Sequence, residues 1–179
     1  MVPRATIEAF DAHLEACGLA FDAVVIGGSA LALLGVTTRQ TRDFDILAPI
    51  LPAGIVAAAR TFAAEQRRLG LELADDWFNN GPVQLGSILP AGWINRVQRV
   101  FHGRALLLHA LGRSDLLKTK LFALCDRGTD LPDCLALVPI PNELREAGEW
   151  LVLQDANPYW PDHVAATLAD LARRLGHGG

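Results

Sequence analysis

Residues 23–36 form the longest apolar run in the chain, and two adjacent glycines divide it. The run is 14 residues long and contains Ser29, short of the roughly 20 apolar residues that a membrane-spanning helix needs. Before Gly27 and Gly28 lies the β-rich segment 23–26; after them, residues 29–34 return to helix formers. This order predicts a buried strand, a tight turn and the opening of a helix. Residues 36–42 are polar, rich in Thr and Arg, and read as a loop. Residues 43–47 then alternate acid, Phe44, acid, Ile46. A strand of that period places Asp43 and Asp45 on one face, about 7 Å apart at their Cα atoms.

The remainder is ordinary globular chain. Over 179 residues, 51% are apolar and 20% charged, which fits one compact domain with a full core, or one domain with a small helical appendage. Thr6 is expected to cap a helix whose Ile7, Phe10, Leu14 and Cys17 share a face and which stops at Gly18. Residues 55–68 read as a helix, 69–73 and 104–108 as strands, and 74–95 as loops around one or two short strands. Helices are expected from Ser114 to Arg127, again from Asp130, and over 142–153 and 162–175. The cysteines, Cys17, Cys125 and Cys134, show no metal or redox spacing and read as buried reduced thiols. Arg4 is followed by Glu8 and Asp11 rather than by an apolar signal stretch, so the cytoplasm is the expected compartment.

A formal net charge of −4 argues against a general nucleic-acid coat protein. The charge is uneven: between residues 96 and 127 seven Lys or Arg stand against two acids, which reads either as a phosphate-facing surface or as a stretch that pairs with acidic helices. The only lysines are Lys118 and Lys120.

The glycine turn and the acidic strand converge on one chemistry. Turn glycines let a backbone approach a phosphate closely, and a helix opening near Ser29 directs free amides at an anion, with the Ser29 hydroxyl as an added donor. Two carboxylates on one strand face suit a hard divalent cation that bridges them to phosphates.

The motifs Gly27-Gly28-Ser29-Ala30 and Arg39-Gln40-Thr41-Arg42-Asp43-Phe44-Asp45-Ile46 resemble the nucleotidyltransferase superfamily, and within it the abortive-infection (AbiEii-type) toxin-like bacterial enzymes. A second block, Leu116-Leu117-Lys118-Thr119-Lys120-Leu121 followed by Cys125-Asp126-Arg127, Asp130 and Asp133, is similar to that family's Leu-Leu-x-x-Lys and Asp-Arg-x-x-Asp helices. The resemblance covers roughly residues 20–138 and implies an α/β (α+β) fold with a small mixed sheet flanked by helices; residues 1–138 are expected to form that core and 139–179 a C-terminal helical extension packed on it. It implies metal-dependent transfer of a nucleoside monophosphate from a nucleoside triphosphate to a hydroxyl acceptor, tRNA in the toxin branch, with an antitoxin protein as partner. Asp43 and Asp45 would bind Mg²⁺ or Mn²⁺, and Gly27, Gly28 and Ser29, with Arg39 and Thr41 of the second motif, would hold the nucleotide. Lys120 would contact a phosphate, and Asp126 would be the acid of the second block. Many superfamily members add a third metal-binding carboxylate from a later strand, a place for which Glu72, between Leu71 and Leu73, has the required apolar-acid-apolar setting. Two other readings stand beside this one: a non-catalytic binding protein on the same scaffold, and a metal-dependent phosphodiester hydrolase.

Overall fold

The computed structural model describes residues 3–38, 41 and 43–177. The chain forms two compact units, Met1–Gly112 and Arg113–Gly179.

The first unit contains α1 (Pro3–Ala16), β1 (Phe21–Ile26), α2 (Gly27–Leu33), β2 (Phe44–Ala48), α3 (Ala53–Arg68), β3 (Phe78–Asn79), α4 (Leu85–Ile88), a 3-10 turn (Trp93–Arg96), β4 (Gln98–His102) and β5 (Leu106–Ala110). Its strands make one mixed sheet in the order β3-β2-β1-β5-β4. β1 lies antiparallel to β2 and parallel to β5, β3 lies parallel to β2, and β4 and β5 form an antiparallel hairpin. The unit is therefore an α+β fold with a mixed sheet flanked by helices.

The two faces of this sheet differ in chemistry. Phe44 pairs with Phe78, Val25 with Ile46, and Ala23 with Leu108, so that one face is wholly apolar. Phe10 of α1 and Phe62 of α3 pack there around Trp77, with ring centroids 5.1–5.6 Å apart. The Trp77 indole N–H donates to the Ala59 carbonyl at 3.1 Å, which satisfies the one polar atom of a fully buried ring. The alternate residues occupy the other face: Asn79, Asp45, Ile26, Val24, Asp22, His109 and Arg99.

Several local expectations are corrected. Residues 69–73 are not a strand. Gly70 takes φ +87° and the Leu71 N–H bonds back to Gln66, turning the chain onto the end of α3, where Arg67 donates to the Leu73 carbonyl at 2.6 Å. The sheet position beside β2 goes instead to Phe78–Asn79. The strand expected at 104–108 begins at Leu106, because Arg104 and Ala105 belong to the turn of the β4–β5 hairpin. Thr6 is a buried residue inside α1, which starts at Pro3 rather than at a Thr6 cap. Cys17 is exposed, whereas Cys125 and Cys134 are buried free thiols that burial pushes up to about 11 and about 12.

The second unit holds α5 (Arg113–Arg127), α6 (Leu131–Leu137), α7 (Pro141–Leu151) and α8 (Trp160–Arg174). Gly148 lets α7 approach α8: a Cβ there would stand 3.1 Å from Leu168 Cδ1. The buried ends of α7 and α8 are tied by the Trp160 indole N–H, which donates to the Leu151 carbonyl at 2.8 Å. Among the described residues no helix is long and apolar enough to cross a membrane.

α1 is fastened to the β4–β5 hairpin chiefly by the Asp11 carboxylate, with Glu15 pairing to Arg104 beside it. Asp11 accepts the N–H groups of Arg104 at 3.0 Å, Ala105 at 2.9 Å and Leu106 at 2.7 Å. The approach requires a glycine in the turn, since a Cβ on Gly103 would lie 2.1 Å from Asp11 Oδ1. Burial alone would raise the Asp11 carboxyl, but the three N–H bonds and the Arg104 charge outweigh it and hold the pKa below the ordinary value. A lowered carboxylate pKa adds stability above the ordinary aspartate range, lost as pH falls through the native value. Asp11→Asn should accordingly cost about 1.5–3 kcal/mol at neutral pH, the scale of a hydrogen bond to a charged group. Thermal unfolding of both proteins from pH 7 to pH 3 should show that difference shrinking toward the acid end.

Candidate functional site

The antiparallel register of β1 and β2 sets Ile26 opposite Asp45. The next residue, Gly27, turns with φ +72°, and a Cβ built on it would stand only 2.7 Å from Asp45 Oδ2. The Asp45 carboxylate therefore lies directly against the glycine turn, at a point where only a residue without a side chain fits. Phe44, fully buried, faces the opposite side, stacked on Phe78 at 6.3 Å and edge-on to Trp77 at 5.9 Å. This aromatic contact fixes the register that turns Asp45 to the polar face. Asp43 is exposed just ahead of β2, and the Thr41 hydroxyl donates to its carbonyl at 3.0 Å, bracing the approach to the strand. Arg39 and Arg42 lie outside the described residues.

The glycine turn differs from expectation in one respect. Helix α2 begins at Gly27 itself, and Ser29 is fully buried with its hydroxyl donating to the Ile26 carbonyl at 3.1 Å. The Ser29 hydroxyl thus braces the turn from within. Gly27 and Gly28, both half-buried, present backbone alone.

Glu72 is exposed in the coil after α3, and among the described residues no three His, Cys, Asp or Glu side chains gather as a metal-binding group. Asp43, Asp45 and Glu72 are not brought together as a trio. The strand that does run beside Asp45 is β3, and the residue in register is Asn79. Its Oδ1 accepts the Gly81 N–H at 2.6 Å, closing a turn. Asn80 binds the exit of β2, accepting the Leu51 N–H at 2.6 Å and donating to the Ile46 and Pro49 carbonyls at 2.9 and 3.1 Å. Sequence reasoning missed both asparagines. The signal was there in Trp77-Phe78-Asn79-Asn80-Gly81, an aromatic pair followed by turn residues, but a two-residue strand carries almost no period.

In the second unit, Lys120 lies buried on α5 with its ammonium 2.8 Å from Asp130 and 2.6 Å from Asp133. Asp126, the expected acid of this block, is exposed and is not a partner of Lys120. Burial would lower the lysine pKa, but the bonds and charges of Asp130 and Asp133 outweigh it and raise the value above the ordinary one. For Asp130 the same balance runs the other way: burial raises, and Lys120 more than reverses it, leaving the carboxyl below its usual range. The basic stretch 96–127 is largely paired off. Arg104 meets Glu15, Arg113 meets Glu143 at 2.7 Å, and Arg127 meets Asp130, each an acid outside the stretch. An open cleft of about 390 Å³ lies elsewhere in the first unit, lined by Asp22, His102 and Arg104 rather than by the glycine turn.

The chain matches, over residues 5–136, a protein family described as a nucleotidyltransferase of unknown function (DUF6036). No curated protein and no solved structure gives a significant match.

Gly27→Ala should destabilise the first unit by roughly 1–2 kcal/mol from the left-handed backbone alone, and further through the Asp45 carboxylate. In an Asp45→Ala background only the backbone part should remain, so a thermal double-mutant cycle measures the contact. Lys120→Met should cost about 3–5 kcal/mol, because it leaves two buried carboxylates without their cation. Lys118→Met, whose ammonium bonds only the exposed Ser114 hydroxyl at 2.7 Å, should change stability by no more than about 0.5 kcal/mol. The Lys120 contribution should hold across neutral pH. It should fade as pH falls through the lowered Asp130 value, and again as pH rises above about 10.4 toward the raised lysine value.

Proposed function

The chain belongs to the nucleotidyltransferase family that it matches over residues 5–136, and from that premise we propose that the juncture of Gly27 and Asp45 is where it holds a metal–nucleoside triphosphate and transfers the nucleoside monophosphate. The carrying observation is the contact itself: a carboxylate set 2.7 Å from where any Cβ on Gly27 would be. Such a cradle brings a bare backbone turn and an anionic oxygen to one point, the combination that a phosphate with a bridging cation requires.

The donor set suits a divalent cation of the Mg²⁺ or Mn²⁺ type. Asp43 and Asp45 would hold it, since Mg²⁺ is typically bound by one or two carboxylates with substrate phosphates completing its shell. When bound, the ion supplies neutralisation of the triphosphate and polarisation of the phosphorus under attack. The backbone of Gly27 and Gly28 orients the phosphate chain. Thr41 keeps the Asp43 main chain in place, and Phe44, locked in the aromatic core, keeps Asp45 from turning away.

On the resemblance in the two motif blocks, the acceptor is a hydroxyl, with tRNA the first to test, and the protein acts as a toxin of the AbiEii type neutralised by an antitoxin protein in the cytoplasm. Lys120, paired with two carboxylates of its own unit, supports a different role from the phosphate contact that the resemblance implies: it joins α5 to α6. A non-catalytic binding protein is the second reading, favoured by the neutral Asn79 beside Asp45 where a further acid would strengthen metal binding.

Purified protein incubated with each α-labelled nucleoside triphosphate, Mg²⁺, total tRNA and a protein extract should label one acceptor class. Asp43→Asn and Asp45→Asn should each abolish the label while the melting temperature without metal stays level or rises. Nucleotide binding without any label transfer would favour the binding-protein reading.

A further inference from the structure

The side chains in register with Asp45 limit how much cation the site can take. On one flank, β1 offers Ile26, an apolar residue. On the other, β3 offers Asn79. The Gly81 N–H at 2.6 Å is a donor, so the asparagine atom that meets it must be Oδ1, which already accepts one bond in the turn and, as a neutral amide oxygen, holds a cation less well than a carboxylate. What remains on Asn79 is an NH₂ group, two donors that repel a cation and attract an anionic oxygen. No third acid joins the described residues around Asp45 as a metal-binding group.

We infer that the site takes a single divalent cation, delivered as the metal–triphosphate complex, with the Asn79 amide standing where a second ion would need a carboxylate. The inference rests on the nucleotide-binding reading above and specifies its metal content. Two ions clamping one phosphoryl group need protein oxygens on both sides. Here Asp43 and Asp45 serve one ion, and neither strand neighbour of Asp45 supplies a carboxylate for another. Without triphosphate the two carboxylates alone form a weak site, because hydrated Mg²⁺ or Mn²⁺ gives up water reluctantly.

Mn²⁺ binding followed by electron paramagnetic resonance tests this without turnover, using the full chain and a non-hydrolysable α,β-methylene nucleoside triphosphate. The wild-type protein should bind one Mn²⁺ per chain with the analogue present, and at least about tenfold more weakly without it. Asn79→Asp keeps an acceptor for the Gly81 N–H, so the turn should survive, and this variant should bind a second Mn²⁺ with the analogue present. Asp45→Asn should bind none at the same concentration. Two ions on the wild-type chain, or an unchanged count in a folded Asn79→Asp protein, would overturn the single-cation inference and leave the nucleotide site standing. Failure of the wild-type chain to bind the Mn²⁺–analogue complex at all would overturn both. Circular dichroism of each variant identifies a loss of fold, and the wild-type count decides the matter if Asn79→Asp does not fold.

Discussion

The pairing of β1 with strands on both of its sides is the constraint from which the N-terminal unit follows. β1 hydrogen-bonds to β2 and β5, and its inward residues, Ala23 and Val25, are almost wholly buried. A strand held on both edges and packed on one face has no freedom of register: a slip by one residue would turn Asp22, Val24 and Ile26 into the aromatic core and Val25 out of it. Ile26 therefore ends the strand at a defined point, and Gly27 must turn there. Because β2 is paired to this strand, the position of the Asp45 carboxylate follows from the same bonds.

The two groups of charged residues obey different rules. Asp45 is half-buried against a glycine turn, and its strand partners, Ile26 and Asn79, are uncharged. The Lys120 cluster is the opposite case. Its ammonium bonds two carboxylates inside a helical unit, and removal of the lysine takes from both the cation they share. Motif reading alone treats both sets as equally functional; hydrogen-bond partners separate them.

The parts of the fold that were legible in the sequence are those with strong local period. The glycine break in an apolar run, the alternation of Asp43 to Ile46, and the helix running from Ser114 to Arg127 all state their geometry within a few residues. The acidic strand was legible because Phe44 and Asp45 cannot share a face. What was not legible depends on distant partners. Residues 69–73 carry a strand-like composition, yet Arg67 and the Gly70 turn hold them to α3. Phe78–Asn79 is a strand only because β2 lies beside it. That the Ser29 hydroxyl is buried and bonded to the Ile26 carbonyl follows from the packing of the turn, which no local pattern states. The motif block does not state which acids meet Lys120, because Asp130 and Asp133 reach its ammonium from the start of the next helix, α6.

The order of strands in the sheet also has a temporal side. β1 is among the first elements made, but its parallel partner β5 follows α3 and both edge strands, with Phe21 pairing to Leu106. Until the chain has grown past Ala110, one edge of the most apolar strand is open and the Asp11 carboxylate of α1 has no hairpin amides to accept. A domain of this connectivity closes late and through contacts distant in sequence, a pattern associated with slow folding. A nascent chain paused before the β4–β5 hairpin would expose an unpaired apolar edge, the kind of surface on which chaperones and neighbouring strands compete.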